Sequence, residues 1–228
     1  MNDEKKISLF LVEGPSEERA LSLLLSRLVS NSLTKFYIVS GDITSRDSSD
    51  NQNILSEVHS LVKNFLEENN PLFKKSDIER IVHLIDTDGA FVDCEHVKHK
   101  NGYGVVYSDD CILTKDVESI IDRNDRKSLI LNKLSSTPEI NDIPYSVYYF
   151  STNLDHVLYG KQNLDRHLKT ELADKFTDRF DGHEKEFVDF ICDSDFAVDG
   201  NYPETWHFIK SDLHSLNRYT NLGLYFKN

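Results

Sequence analysis

Ile7-Ser8-Leu9-Phe10-Leu11-Val12-Glu13-Gly14-Pro15-Ser16-Glu17, residues 7–17, passes from a nearly continuous apolar run into an acidic turn and then a helix start. A strand apolar on both faces belongs inside a parallel sheet covered by helices. Ser16 suits an N-cap, and Leu21, Leu24, Leu25 and Leu28 then fall on one helical stripe. Phe36-Tyr37-Ile38-Val39 reads as a second strand ending at Ser40-Gly41, and Ile54, Val58, Leu61, Val62 and Phe65 recur at helical spacing. Asn69-Asn70-Pro71 breaks that helix, and Ile81-Val82-His83-Leu84-Ile85 is a third strand. Strand, helix, strand, helix, strand predicts right-handed crossovers and a mainly parallel α/β sheet flanked by helices.

The third strand also ends in acids, Asp86-Thr87-Asp88, followed by Gly89. The carboxyl ends of strands are where open α/β sheets build their sites. Alternate residues of an extended chain project the same way, so Asp86 and Asp88 are expected to face one cation. Gly14 and Gly89 supply tight turns beside the acids. For each acid there is a plainer reading: Glu17 and Glu18 complement a helix dipole, and an Asp turn satisfies its own backbone donors. The polar stretch 40–53 is expected to overhang the same end of the sheet.

Further along, Tyr103 to Tyr107 reads as a short strand and Thr114 to Leu134 as a helix. Ser146 to Phe150 is a fourth long strand, and Leu164 to Phe180 and His183 to Cys192 are helices. This divides the chain into a core at 1–160, with an insertion at about 90–135, and a helical C-terminal extension at 161–228 packed on it.

Composition bounds the function. The chain has 228 residues, 39% hydrophobic and 29% charged, with a formal charge of −13, which argues against a generally basic nucleic-acid binder. Site acids neutralised by metal ions count toward that charge, so a nuclease stays open. No apolar run reaches the ~20 residues needed to span a bilayer, and the first residues lack the apolar core of a secretory signal. A cytoplasmic protein without membrane association is expected. Cys94, Cys111 and Cys192 form no CxxC pair. Cys94, His96, His99 and Cys111 have zinc-ligand chemistry, but their spacing matches no known finger. Gly14-Pro15-Ser16-Glu17 lacks the second glycine and the lysine of a P-loop.

A strand ending in Glu13-Gly14 and a later one ending in Asp86-x-Asp88 resemble the TOPRIM domain of topoisomerases, primases and several nucleases. The Glu13-x-x-x-Glu17 spacing is similar to the TOPRIM half of overcoming-lysogenization-defect (OLD) family nucleases and their stand-alone phage-defence relatives. The likeness covers about the first ninety residues and, loosely, 148–158. It implies a Rossmann-like TOPRIM core and a Mg²⁺-dependent nuclease, Mn²⁺ being possible, that cuts phosphodiester bonds of DNA or RNA by two-metal hydrolysis. Glu13, as ligand or general base, would then act with Glu17, Asp86 and Asp88. Asn153-Leu154-Asp155 is the counterpart of a later acidic motif, with Asp155 in place of Glu. Lys161 is the candidate basic residue beyond it, the alternative being an ordinary surface lysine. The resemblance further implies a partner ATPase of the OLD or ABC type, and a homo-oligomer is open. Two other readings stand beside it: a non-catalytic TOPRIM-like binding subunit, and a haloacid-dehalogenase-like phosphatase, which would want its Asp-x-Asp on the first strand.

Overall fold

Strand β1 (Ile7–Val12) is buried along its whole length. Its side chains alternate between two cores: Ile7, Leu9 and Leu11 enter one, Phe10 and Val12 the other, as the two-residue period of a strand demands. The computed structural model describes residues 6–28, 33–38, 42–102 and 104–227. Helix α1 (Pro15–Leu28), β2 (Leu33–Ile38), α2 (Ile54–Glu68) and β3 (Ile78–Asp86) follow. The expected strand residue Val39, with Ser40 and Gly41, lies outside the described residues, as does Tyr103.

Beyond β3 come β4 (Val97–His99), β5 (Val106–Tyr107), β6 (Ile112–Thr114), α3 (Val117–Ser135), β7 (Glu139–Ile140) and β8 (Ile143–Phe150). The main sheet has the order β2-β1-β3-β8-β7. Its β1–β2, β1–β3 and β3–β8 pairs run parallel, and β7–β8 is antiparallel. The fold is therefore α/β with a mixed sheet. The β7–β8 turn uses Asn141 and Asp142 at φ of 54° and 59°, the left-handed pair a two-residue hairpin requires.

Helices cover both faces. α1 packs with α5 (Arg166–Phe180) and α6 (Glu184–Asp193) over Phe10, Val82, Leu84 and Tyr148. α2, the end of α3 and α7 (Tyr202–Ile209) cover Leu9, Ile81, Val147 and Tyr149. The chain leaves β1 toward β2, then returns past β1 to β3. Right-handed crossovers made in opposite directions place α1 and α2 on opposite faces. The carboxyl ends of β1 and β3 thus flank the point where the winding reverses, where such sheets bind ligands.

The segment after β3 is less separate than an insertion at 90–135 suggests. β4, β6 and β5 form a three-stranded sheet over a small core of Val92, Val97, Ile112, Ile120 and Leu216. The end of α3, however, puts Ile130, Leu131 and Leu134 into the main core. That helix begins at Val117 and not at Thr114, because the Asp116 side chain accepts the Ser119 N–H as its N-cap. Beyond β8, α4 (Leu154–Tyr159) ends at Gly160 in the left-handed conformation. The segment between α7 and α8 (Leu224–Lys227) crosses the strand ends: Thr152 N–H donates to Ser215 O (3.1 Å) and Ser151 N–H to Tyr219 O (2.8 Å). Among the described residues, no helix is long and apolar enough to cross a membrane.

Candidate functional site

Glu13 leaves the end of β1 with its Oε1 shielded from solvent and, among the described residues, without a hydrogen-bond partner. Burial, then Asp42, Asp86 and Asp88, raise its pKa well above the usual carboxylate value, against the pull of Lys127. One turn on, the Glu17 carboxylate folds back over the peptide of Gly14, 3.1 Å from where a Cβ would stand. Burial again leads in raising its pKa, with Asp155 adding and Lys169 opposing.

Asp86 closes β3, and its Oδ1 accepts the Leu154 N–H at 2.8 Å, tying the strand to the start of α4. Its pKa is raised well above normal by burial, then by Glu17 and Asp88; Lys127 and the Leu154 N–H act the other way. Glu13, Glu17 and Asp86 therefore form a half-buried acidic group with too little positive charge beside it.

Asp88 is aimed differently from the expectation. The chain leaves the strand after Asp86, and Asp88 adopts φ of 50°, so strand alternation does not govern its direction. Its Oδ2 meets Lys127 Nζ at 2.5 Å, and its Oδ1 accepts from Tyr107 Oη at 3.2 Å. Its carbonyl accepts from Arg123 Nη2 at 2.8 Å, and its N–H donates to Thr152 O at 2.8 Å. Asp155, also buried, pairs with Lys169 Nζ at 2.6 Å.

Lys161 is exposed just past Gly160, and Lys169, in the first part of α5, provides the lysine that reaches the site. The expectation for Lys161 rests on the resemblance, which implies a basic residue beyond the Asp155 motif. The left-handed Gly160 turns the chain away from the site, and α5 brings it back.

Two further residues belong here. Asp42, in the loop after β2, accepts from Lys127 Nζ at 2.9 Å, so that loop does overhang the strand ends. Burial opposes the Asp42 charge, but Lys127, Ser45 and Thr44 override it and hold its pKa far below normal. Lys127 has no exposed surface. Burial alone would lower its pKa; Asp42, Asp88 and Glu13 reverse that and keep it charged. The signal was in the sequence: Ile120, Asn124, Lys127, Leu131 and Leu134 share the buried stripe of α3, where a lysine needs partners.

The donor set is all carboxylate oxygen, the chemistry of Mg²⁺, Mn²⁺ or Ca²⁺ and not of zinc. Among the described residues, no group of three or more His, Cys, Asp or Glu side chains is arranged to hold a metal ion as it stands. The ion pairs explain part of this, because Asp88 and Asp155 are turned to lysines. Glu13, Glu17 and Asp86 fit a hard cation by chemistry and by their unmet charge. His96 and His99 donate their Nδ1–H groups to the Asp110 and Lys115 carbonyl oxygens, and Cys94 is exposed.

The acidic turn is built on the returning C-terminal segment. Gly89 has φ of 69°, and a Cβ there would lie 2.7 Å from Leu216 Cδ2 and 2.9 Å from Ile112 Cδ1. Gly89→Ala is therefore expected to cost about 1–3 kcal/mol from strain and overpacking. A urea midpoint equal to the unsubstituted protein's would rule out this close packing. Comparison with known proteins gave no match to a protein-family model, a curated protein or a solved structure.

Proposed function

We propose that the chain is a metal-dependent nuclease with a TOPRIM-like Rossmann core, hydrolysing phosphodiester bonds at the Glu13–Asp86 cluster. One observation carries the reading. Two half-buried carboxylates with raised proton affinity stand at the carboxyl ends of adjacent parallel strands, β1 and β3, where the winding reverses.

Glu13, Glu17 and Asp86 would hold Mg²⁺ or Mn²⁺, and a bound cation there would supply charge for the phosphate and a more acidic attacking water. The protein's own groups have separable roles. Glu13 Oε1, without a hydrogen-bond partner among the described residues, would take the ion. Lys169 Nζ, 36% exposed at its side chain and paired with Asp155, stands at the edge of the cluster, where it can offset phosphate charge. The Leu154 N–H fixes the Asp86 carboxylate at Oδ1. A cytoplasmic phage-defence role with a partner ATPase is carried by the resemblance alone. A non-catalytic, cation-binding role is favoured by one observation, that lysines already hold Asp88 and Asp155.

The test incubates purified protein with labelled plasmid, single-stranded DNA, total RNA, tRNA and a generic phosphomonoester, in Mg²⁺, Mn²⁺ or EDTA. Cleavage of a nucleic acid with metal, absent in EDTA and in Glu13→Gln, is the expected result. No cleavage with either metal, alone or with a partner ATPase, rejects the nuclease. Metal binding without cleavage selects the binding role, and loss of phosphomonoester alone selects a phosphatase.

A further inference from the structure

We propose that Lys127 is a built-in cation: its ammonium holds Asp42 and Asp88 in the half of the acidic cluster that a second divalent ion would otherwise occupy. The site then loads a single ion, on the Glu13–Asp86 side. This rests on the metal-dependent reading above and departs from two-metal hydrolysis.

The contacts account for the whole ammonium. Lys127 Nζ meets Asp88 Oδ2 at 2.5 Å, Asp42 Oδ2 at 2.9 Å and Ser45 Oγ at 3.0 Å. An ammonium has three donors, and all three are used. Asp88 is equally committed, with Tyr107 Oη on its other carboxylate oxygen and Arg123 on its carbonyl. An ion reaching Asp88 must displace Lys127 from a position with no solvent exposure.

The other half of the cluster differs. Glu13 Oε1 has no partner among the described residues, and Asp86 Oδ1 has a backbone N–H. Attraction for an added cation is therefore concentrated on Glu13, Glu17 and Asp86. A tethered ammonium also supplies its charge without being loaded, and it fastens the loop after β2 over the site. Arg126, beside it in α3, holds the same loop through Asp47 at 2.7 Å.

The experiment is a Mn²⁺ titration of the metal-stripped full-length chain, with free Mn²⁺ read by electron paramagnetic resonance, for the unsubstituted protein, Lys127→Met, Asp88→Asn and Glu13→Gln. The expected result is a single Mn²⁺ per chain in the unsubstituted protein and one more in Lys127→Met. Asp88→Asn should keep that single ion at nearly the same affinity. Glu13→Gln should bind it at least about tenfold more weakly. Two ions in the unsubstituted protein, or loss of the ion in Asp88→Asn, overturns the proposal and leaves the metal-dependent reading standing. Absence of Mn²⁺ binding in every protein sinks that reading and this one with it. Should Lys127→Met fail to fold, the unsubstituted stoichiometry and Asp88→Asn decide alone.

Discussion

Asp86→Asn is expected to reduce metal-dependent cleavage by about 10²–10³-fold or more while making the metal-free protein more stable at neutral pH. The two effects share a cause. Burial, Glu17 and Asp88 all disfavour the ionised Asp86 carboxylate, and that unmet charge is what draws a cation. Asparagine keeps an oxygen for the Leu154 N–H, held at 2.8 Å by Asp86 Oδ1, and removes the charge. The sign follows from linkage. An acid whose folded pKa lies above its unfolded value, here ordinarily 3.8, binds more protons when folded. Its contribution to stability is complete below the unfolded value and is lost as pH rises through the folded one. In EDTA, the unsubstituted protein should therefore weaken between mildly acidic and neutral pH, and Asp86→Asn should weaken less. The gain at pH 8 is on the order of 1 kcal/mol, roughly 2–4 °C in Tm for a chain of this size. Glu13 keeps the same dependence in the variant, so the slope flattens without vanishing. Thermal melts of both proteins at pH 5 and pH 8 check this. A variant less stable than the unsubstituted chain at pH 8 would show that the Asp86 charge is compensated by something other than a bound ion.

What could be read in advance was whatever chain-local pattern controls. Ile7–Val12, the stripe of α1 and the stripe of α2 are long and strongly periodic, and their elements begin and end within a few residues of the expectation. β3 starts earlier than Ile81 because its first turn outward carries exposed Glu79 and Arg80, which hide the period. β4, β5, β6 and β7 have only two or three residues each, too few to show a period at all. The site divides in the same way. Glu13 and Asp86 were legible because a strand end is a position in the chain as well as in space. Asp42 and Lys169 come from a loop and a distant helix, and only the folded topology brings them in. Asp88 sits in the expected turn, yet its left-handed backbone and its lysine depend on neighbours far along the chain. Lys127 is not among the expected site residues, although a charge on the buried stripe of a helix is visible without coordinates and demands an acid partner in the fold.

That demand sets the largest stability effect expected in this protein. Lys127→Met should cost about 3–5 kcal/mol, because removal of one partner leaves buried charge uncompensated. The lysine is wholly buried, whereas the side chains of Asp42 and Asp88 retain 23% and 21% exposure, so the cost arises from acids left facing one another and Glu13. Asp42→Asn in the same background removes one of those acids. The double variant should thus be less unstable than the sum of the two single changes, by about 0.5–3 kcal/mol. Arg19→Ala offers the contrast. Its pair with Asp174 is about half exposed on both sides, and an exposed pair contributes about 0–1 kcal/mol. The pH window follows from Asp42, whose folded pKa is depressed below the ordinary 3.8. Its contribution is fully present above that value and is lost as pH falls through the lower folded one, so neutral conditions see the whole effect. Urea denaturation in EDTA at pH 7 of the unsubstituted chain, both single variants and the double variant measures the coupling. Strict additivity would mean that Lys127 and Asp42 do not stabilise each other, and that the loop over the site is held by other contacts.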